Sequence, residues 1–283
     1  MAELGFGTRL QRAIADTSPL CVGLDPSAAL LEQWGLPDTP GSLVIMGESV
    51  IEAALGQVAA IKPQVAYFER HGSQGLAALE HVLARCREAG LLSIADAKRG
   101  DIDATMTAYG QAWVGQGSAL RADAVTVVPY LGLGAMESLF IRAEEQGAGI
   151  FCVVASSNVE GRAIQTAMTG NGSVEATLLA DLGARNQRYV ERSGESLGPY
   201  GAVIGATREA GTLALSTFGG CFLVPGFGAQ GASASDVGSL FAGTATGSVL
   251  VNSARQILNR GPAVAELAAE IFRQAQVLRD ALN

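Results

Sequence analysis

The chain repeats one pattern: a short apolar run rich in β-branched residues, then a longer stretch with apolar residues three and four apart. The runs are PLCVGLD (19–25), QVAAIKPQ (57–64), LLSIADAK (91–98), ADAVTVVPY (122–130), GIFCVVASS (149–157), GAVIGAT (201–207), GCFLVPG (220–226) and GSVLVNSA (247–254). Runs this short and this free of polar alternation predict strands buried on both faces, the condition of parallel strands covered by helices. The intervening SQGLAALEHVLARCREAG predicts a helix with Leu76, Leu79, Val82, Leu83 and Cys86 on one face, stopped at Gly90. PAVAELAAEIFRQAQVLRDAL predicts an amphipathic closing helix with Pro262 in its first turn. The longest stretch between strands, 158–200, predicts a surface loop followed by a helix.

Eight such units fit a closed (β/α)8 TIM barrel better than an open sheet, whose edges would need protection. At 283 residues, with no linker and no low-complexity tract, the expectation is a single domain over 1–283. The ionisable residues then fall at one pole. Asp25 ends the first strand, Lys62 the second, and Asp96 and Lys98 the third; Ser156 and Ser157 end the fifth and Arg255 follows the eighth. Chance would scatter such residues over both ends, so the bias to the carboxyl ends, where barrel enzymes place their chemistry, points to an active site there.

Composition narrows the partners. A net charge of −8 and the lack of a basic stripe argue against nucleic acid or an anionic membrane surface. No apolar run reaches the ~18–20 residues needed to span a bilayer, and the first residues do not read as a secretion signal. Cys21, Cys86, Cys152 and Cys221 form no C-x-x-C pair and read as reduced core residues, so a cytoplasmic protein is expected. The two histidines, His71 and His81, fit no metal box or triad.

Asp96 and Lys98 are two apart on a strand, so they project together with Cα atoms about 6.5–7 Å apart, and a neighbouring second strand brings Lys62 into a Lys–Asp–Lys row. Such a row is either a salt-bridge plug in the barrel mouth or a catalytic group. Because buried ion pairs are weak stabilisers, the second is favoured. An ammonium held between carboxylates stays protonated and suits general-acid work better than Schiff-base chemistry. Asp101 belongs to the following loop or first helical turn and can point elsewhere, including across a subunit contact; Arg99 and Asp103 read as solvent or interface charges. In VPGFGAQGAS (224–233), Gly226, Gly228 and Gly231 let backbone N–H groups approach an anion ahead of a helix N-terminus. With Arg255 nearby, this is where such barrels bind phosphate. Ser156, Ser157 and Asn158 supply either a polar ring or a cap for the next helix, and Asp25 before Pro26 is either an N-cap or a ligand for a sugar hydroxyl.

The frame D-x-K-x-x-D-I-x-x-T at Asp96, Lys98, Asp101, Ile102 and Thr105 resembles orotidine 5′-phosphate decarboxylase, and DAKRGDI is similar to the branch of that family found in mycobacteria and some other bacteria. The resemblance runs in matching order through VGLDP, IKPQ, DAKRGDIDAT, ASSN, PGFGAQG and VNSARQI, from about residue 20 to residue 260. It implies decarboxylation of orotidine 5′-phosphate to uridine 5′-phosphate in pyrimidine biosynthesis, with no metal and no organic cofactor. By the same resemblance Lys98 protonates C6 of the pyrimidine, and Lys62, Asp96 and Asp101 complete a charge network. Asp101 and Thr105 reach into the partner's site of a homodimer. Asp25 binds a ribose hydroxyl, Ser157 (or Ser156) reads the pyrimidine edge, and Gln230 bridges base and phosphate. Gly228 belongs to the phosphate loop, and Arg255 holds the phosphate. Where the family more often has VGR before its last helix, this chain has NSAR, with Ala254 before Arg255.

Two other readings compete. A metal-dependent sugar-phosphate decarboxylase or aldolase of the same superfamily shares the D-x-K-x-x-D frame but carries an acidic ligand on strand 2, where this chain has Lys62. A non-catalytic phosphate-binding barrel would have no need of both lysines and both aspartates.

Overall fold

The computed structural model describes residues 4–228 and 231–282. Along the chain lie β1 (Leu20–Leu24), β2 (Ala60–Pro63), β3 (Leu92–Arg99), β4 (Ala124–Val127) and β5 (Gly149–Ala155). A small antiparallel hairpin follows, β6 (Met168–Thr169) and β7 (Gly172–Ser173), and then β8 (Tyr200–Ile204), β9 (Phe222–Val224) and β10 (Val249–Ser253). The other eight strands, all but the hairpin, are parallel and close on themselves through β1 and β10, with Leu20 opposite Val251. The alternation of buried strand and helix is thus a (β/α)8 barrel, as the apolar runs predict.

Strand alternation sorts the residues into two cores. Cys21, Ile94, Ala124, Phe151, Leu223 and Leu250 point inward and pack with one another. Val22, Ile61, Val125, Ile150 and Val251 point outward into the helices. The amino-terminal mouth is stoppered by the helix Phe6–Asp16: the Phe6 ring stands edge-on to Phe151 at 5.8 Å, and Gly149 is bare because a Cβ there would lie 2.2 Å from the Phe6 ring. All four cysteines are free and buried. Among the described residues no helix is long and apolar enough to cross a membrane.

Two local expectations change, and a third gains detail. The helix Gly72–Glu88 buries Ala78, Leu79, Val82, Leu83 and Cys86, but Leu76 lies at the edge of that face and is exposed. Pro262 precedes the closing helix, which begins at Val264, rather than sitting in its first turn. The 158–200 stretch does contain a loop and then a long helix, Val174–Ser193, but the loop folds into a one-turn helix (Arg162–Gln165) and the β6–β7 hairpin. A buried Glu175–Arg208 ion pair at 2.5 Å ties that long helix to the loop after β8.

Candidate active site

Two residues beyond the inward apolar layer, the same strands turn polar. Lys62 on β2, Asp96 on β3, Thr126 on β4 and Asn252 on β10 face a cavity of about 360 Å³ at the carboxyl ends, which Asp25, Lys98, Ser157 and Arg255 also line. A larger groove, about 850 Å³, lies at the opposite pole beside Ile14, Pro19, Phe241 and Leu282. Its one charged residue, Arg279, is already used, donating to the Thr17 carbonyl at 2.7 Å. Size favours that groove, whereas convergent charge favours the carboxyl end.

Asp96 is the centre. Its Oδ2 accepts from Lys62 Nζ at 2.8 Å and from Gln64 Nε2 at 3.2 Å. Its Oδ1 accepts from Lys98 Nζ at 2.6 Å and from the Thr126 hydroxyl at 2.9 Å. Burial by itself pushes this carboxyl up, but the two ammonium groups and their hydrogen bonds outweigh it and hold Asp96 well below the usual carboxylate range. Burial likewise pulls Lys62 down, and the facing Asp96 and Asp25 charges more than reverse this, so Lys62 stays firmly protonated. Asp25 sits just past β1; burial raises its carboxyl, against the nearby Lys62, and its Oδ1 has no hydrogen-bond partner. It is not an N-cap: Ser27 caps the helix Ala28–Gln33, accepting from the Leu30 N–H.

The Lys–Asp–Lys row exists, but not by plain strand alternation. The β3–β4 register passes from Ala95 opposite Val125 to Arg99 opposite Val127, so β3 bulges between them. Lys98 sits in that bulge with φ +49°, a left-handed conformation rare for a residue with a Cβ. The bulge folds Lys98 back over Asp96 while leaving its side chain about half exposed (48%). Arg99, expected in solvent or at an interface, instead packs within the chain. It pairs with Glu69, and its guanidinium stands 5.4 Å from the Trp113 ring and 5.8 Å from Tyr109.

At the end of β5 the two serines differ. Gln165 accepts from the Ser156 backbone N–H at 3.2 Å and donates to its hydroxyl at 2.7 Å, and that hydroxyl donates to Asn158. Ser157 makes no side-chain hydrogen bond among the described residues and faces the cavity. Neither serine, nor Asn158, caps the next helix, whose N-cap is Gly161. Gly205 is bare because a Cβ there would lie 2.7 Å from the Ser157 Cα.

On the anion side, Gly226 and Phe227 line the cavity, while Gly228, at φ +66°, closes its own turn by donating to the Ala232 carbonyl at 2.9 Å. The helix Ala234–Leu240 begins with a capping box in which Ser233 and Asp236 satisfy each other's backbone N–H groups, so its N-terminus is already partly occupied. Arg255 forms no ion pair among the described residues. Gln230 lies outside the described residues. Ala254 is accommodated by Gly23 on β1: a Cβ at position 23 would be 2.7 Å from the Ala254 Cβ.

Asp101 and Thr105 are not brought to this cavity. Asp101 accepts from the Ile102 N–H at 2.8 Å, and Thr105 is exposed on the helix Asp103–Trp113. Conversely, Gln64 and Thr126 hold Asp96 yet were not expected in the site. Their signal was present: Gln64 is two residues past Lys62, and Thr126 is the polar residue among the apolar positions of AVTV.

A closed barrel with a buried acid between two lysines, and an arginine opening the short helix after the last strand, defines an enzyme for a phosphorylated small molecule. The chain belongs to the orotidine 5′-phosphate decarboxylase / HUMPS family, whose model matches residues 18–269. It is 44% identical to the orotidine 5′-phosphate decarboxylase of Streptomyces coelicolor over 281 residues, 98% of each chain. A crystal structure from Streptomyces avermitilis, described as a candidate for the same activity, matches with a TM-score of 0.93 at 44% identity, covering 100% of this chain and 97% of that one. The structure of the Leishmania donovani OMP decarboxylase matches with a TM-score of 0.76 at 27% identity, over 98% of each chain. Among the described residues, no group of three or more His, Cys, Asp or Glu side chains could hold a metal ion.

Proposed function

We infer that this chain is an orotidine 5′-phosphate decarboxylase, releasing carbon dioxide and uridine 5′-phosphate as a step of pyrimidine biosynthesis. The observation that carries the reading is Asp96, buried and held ionised between Lys62 and Lys98 on the floor of a cavity that Arg255 borders.

In this reading Arg255 and the glycine loop 226–231, Gln230 included, take the phosphate. Its remote binding energy forces the substrate carboxylate towards Asp96. The repulsion disappears as that charge leaves in neutral carbon dioxide, so it lowers the barrier rather than merely weakening binding. The bond from C6 to the carboxyl carbon breaks, its electron pair stays on C6, and Lys98 Nζ stabilises this developing carbanion and delivers its proton there. Lys98 then regains a proton from solvent, which its half-exposed side chain can reach. Lys62 stays charged and fixes Asp96. Asp25 takes a ribose hydroxyl, and Ser157 reads the pyrimidine edge, being free where Ser156 is engaged. The step needs no metal or organic cofactor.

We also propose a homodimer, working in the cytoplasm, in which Asp101 and Thr105 complete the partner's site. Both lie away from their own cavity, and Ile102, next to Asp101 in the chain, is an exposed apolar side chain in need of cover, as are Val128, Tyr130 and Leu131 just after β4. The barrel 1–283 acts as one domain.

The test is loss of orotate absorbance on adding orotidine 5′-phosphate, with and without EDTA. Turnover should persist in EDTA, and Lys98→Ala should abolish it while uridine 5′-phosphate still binds. A Lys98→Ala protein with near-normal turnover would refute the assignment. Sedimentation of the native protein at twice the chain mass is expected for the dimer.

A further inference from the structure

We propose that Thr126 is the positioning residue that holds Asp96 and Lys98 as one unit. Its hydroxyl donates to Asp96 Oδ1 at 2.9 Å and accepts the Lys98 backbone N–H at 3.0 Å. This deepens the decarboxylase reading and rests on it, since Asp96 and Lys98 are the pair that acts there.

A hydroxyl has one proton to give. Because the Lys98 N–H points into the Thr126 oxygen, that proton is directed at the carboxylate, and both ends of the DAK turn are fixed by a single side chain. The need for such a stitch comes from the bulge. Between Ala95 and Arg99 the β3–β4 ladder is interrupted, so the Lys98 N–H has no regular strand partner, and Lys98 is held at φ +49°. Residues with a Cβ keep that conformation only where their surroundings impose it. Thr126 is suited to imposing it: it is 2% exposed and sits on β4, whose neighbours Val125 and Val127 are paired to β3 on either side of the bulge and to β5 beyond. Lys98 Nζ and the Thr126 hydroxyl also converge on the same oxygen, Asp96 Oδ1. Losing the hydroxyl would therefore free the lysine backbone and turn the carboxylate at once. Lys62 and Gln64 hold the other oxygen and would keep Asp96 in the site without fixing its rotation.

The experiment compares Thr126→Ser, Thr126→Ala and Thr126→Val, measuring kcat on orotidine 5′-phosphate and the Kd for uridine 5′-phosphate by calorimetry. Serine should keep kcat within about threefold of the wild type. Alanine and valine should lose about 10- to 100-fold, the scale of a misplaced reacting group, with Kd within about threefold throughout. Valine preserves volume and alanine does not, so packing loss would separate those two, whereas loss of the hydroxyl makes them alike. Should valine fail to fold, serine against alanine still decides, because both lack the methyl and only alanine lacks the hydroxyl. The proposal is overturned if serine and alanine fall together, if alanine turns over like serine, or if product affinity falls in step with kcat. A wild type without turnover would instead overturn the decarboxylase reading.

Discussion

Lys62 and Lys98 grip the same carboxylate at nearly the same distance, 2.8 and 2.6 Å, yet replacing each by methionine should do very different things. The Lys62 side chain is 6% exposed and the Asp96 side chain 10%, so Lys62→Met strands a buried charge. Removing one partner of a buried pair typically costs about 3–5 kcal/mol, and the donors left on Asp96 (Lys98, Thr126 and Gln64) place this case near the lower end, about 3 kcal/mol. The Lys98 side chain is 48% exposed, so its attraction to Asp96 is screened, and Lys98→Met should cost only ~0–1 kcal/mol. Urea unfolding at pH 7, followed by fluorescence of the buried Trp34 and Trp113, measures the difference directly. Turnover should not follow stability: Lys98→Met, the stable variant, should have none. If Lys98→Met lost as much stability as Lys62→Met, the half-exposed position of Lys98 in the bulge would be wrong. If it kept turnover, so would its role as proton donor.

Other consequences are equally direct. Gly23→Ala should destabilise by about 1–3 kcal/mol through overpacking against Ala254, and adding Ala254→Gly should restore most of it, as urea midpoints of the single and double variants would reveal. Glu270 is held below the ordinary carboxylate value chiefly by its Arg273 hydrogen bond, against burial and with help from Gln274. A depressed native value adds stability above the unfolded value of about 4.3 and loses it as pH falls through the native one. The stability gap between wild type and Glu270→Gln should therefore be full at neutral pH and shrink progressively as pH falls below about 4.3 in urea titrations. Gln165→Ala removes the two hydrogen bonds that hold Ser156, at about 1 kcal/mol each, so it should lower urea stability by about 1–2 kcal/mol and, by loosening the strand end that presents Ser157, raise the KM for orotidine 5′-phosphate several-fold.

Much of this protein was legible in its sequence, for a local reason. A strand buried on both faces must be apolar throughout, so the eight runs mark the barrel strands to within a few residues. A polar side chain at the end of such a strand has few places to go except the mouth, which is why Asp25, Lys62, Asp96, Lys98, Ser157 and Arg255 all meet in one cavity. The DAKRGDIDAT frame, taken together with Lys62 and the GAQG loop, likewise points to the family.

What the sequence left open depends on contacts between residues far apart in the chain. The β3 bulge is a mismatch of register between two strands, and no local pattern announces that Lys98 turns left-handed or that Thr126, 28 residues on, accepts its N–H. The fit of Ala254 against Gly23 joins the last strand's loop to the first strand, and the engagement of Ser156 by Gln165 depends on how a surface loop folds back. Alternation of apolar and polar residues fixes which side of a strand a residue faces. Which partner it meets there, at what distance and in which charge state, is set by strand stagger and barrel closure, and only the tertiary structure decides those.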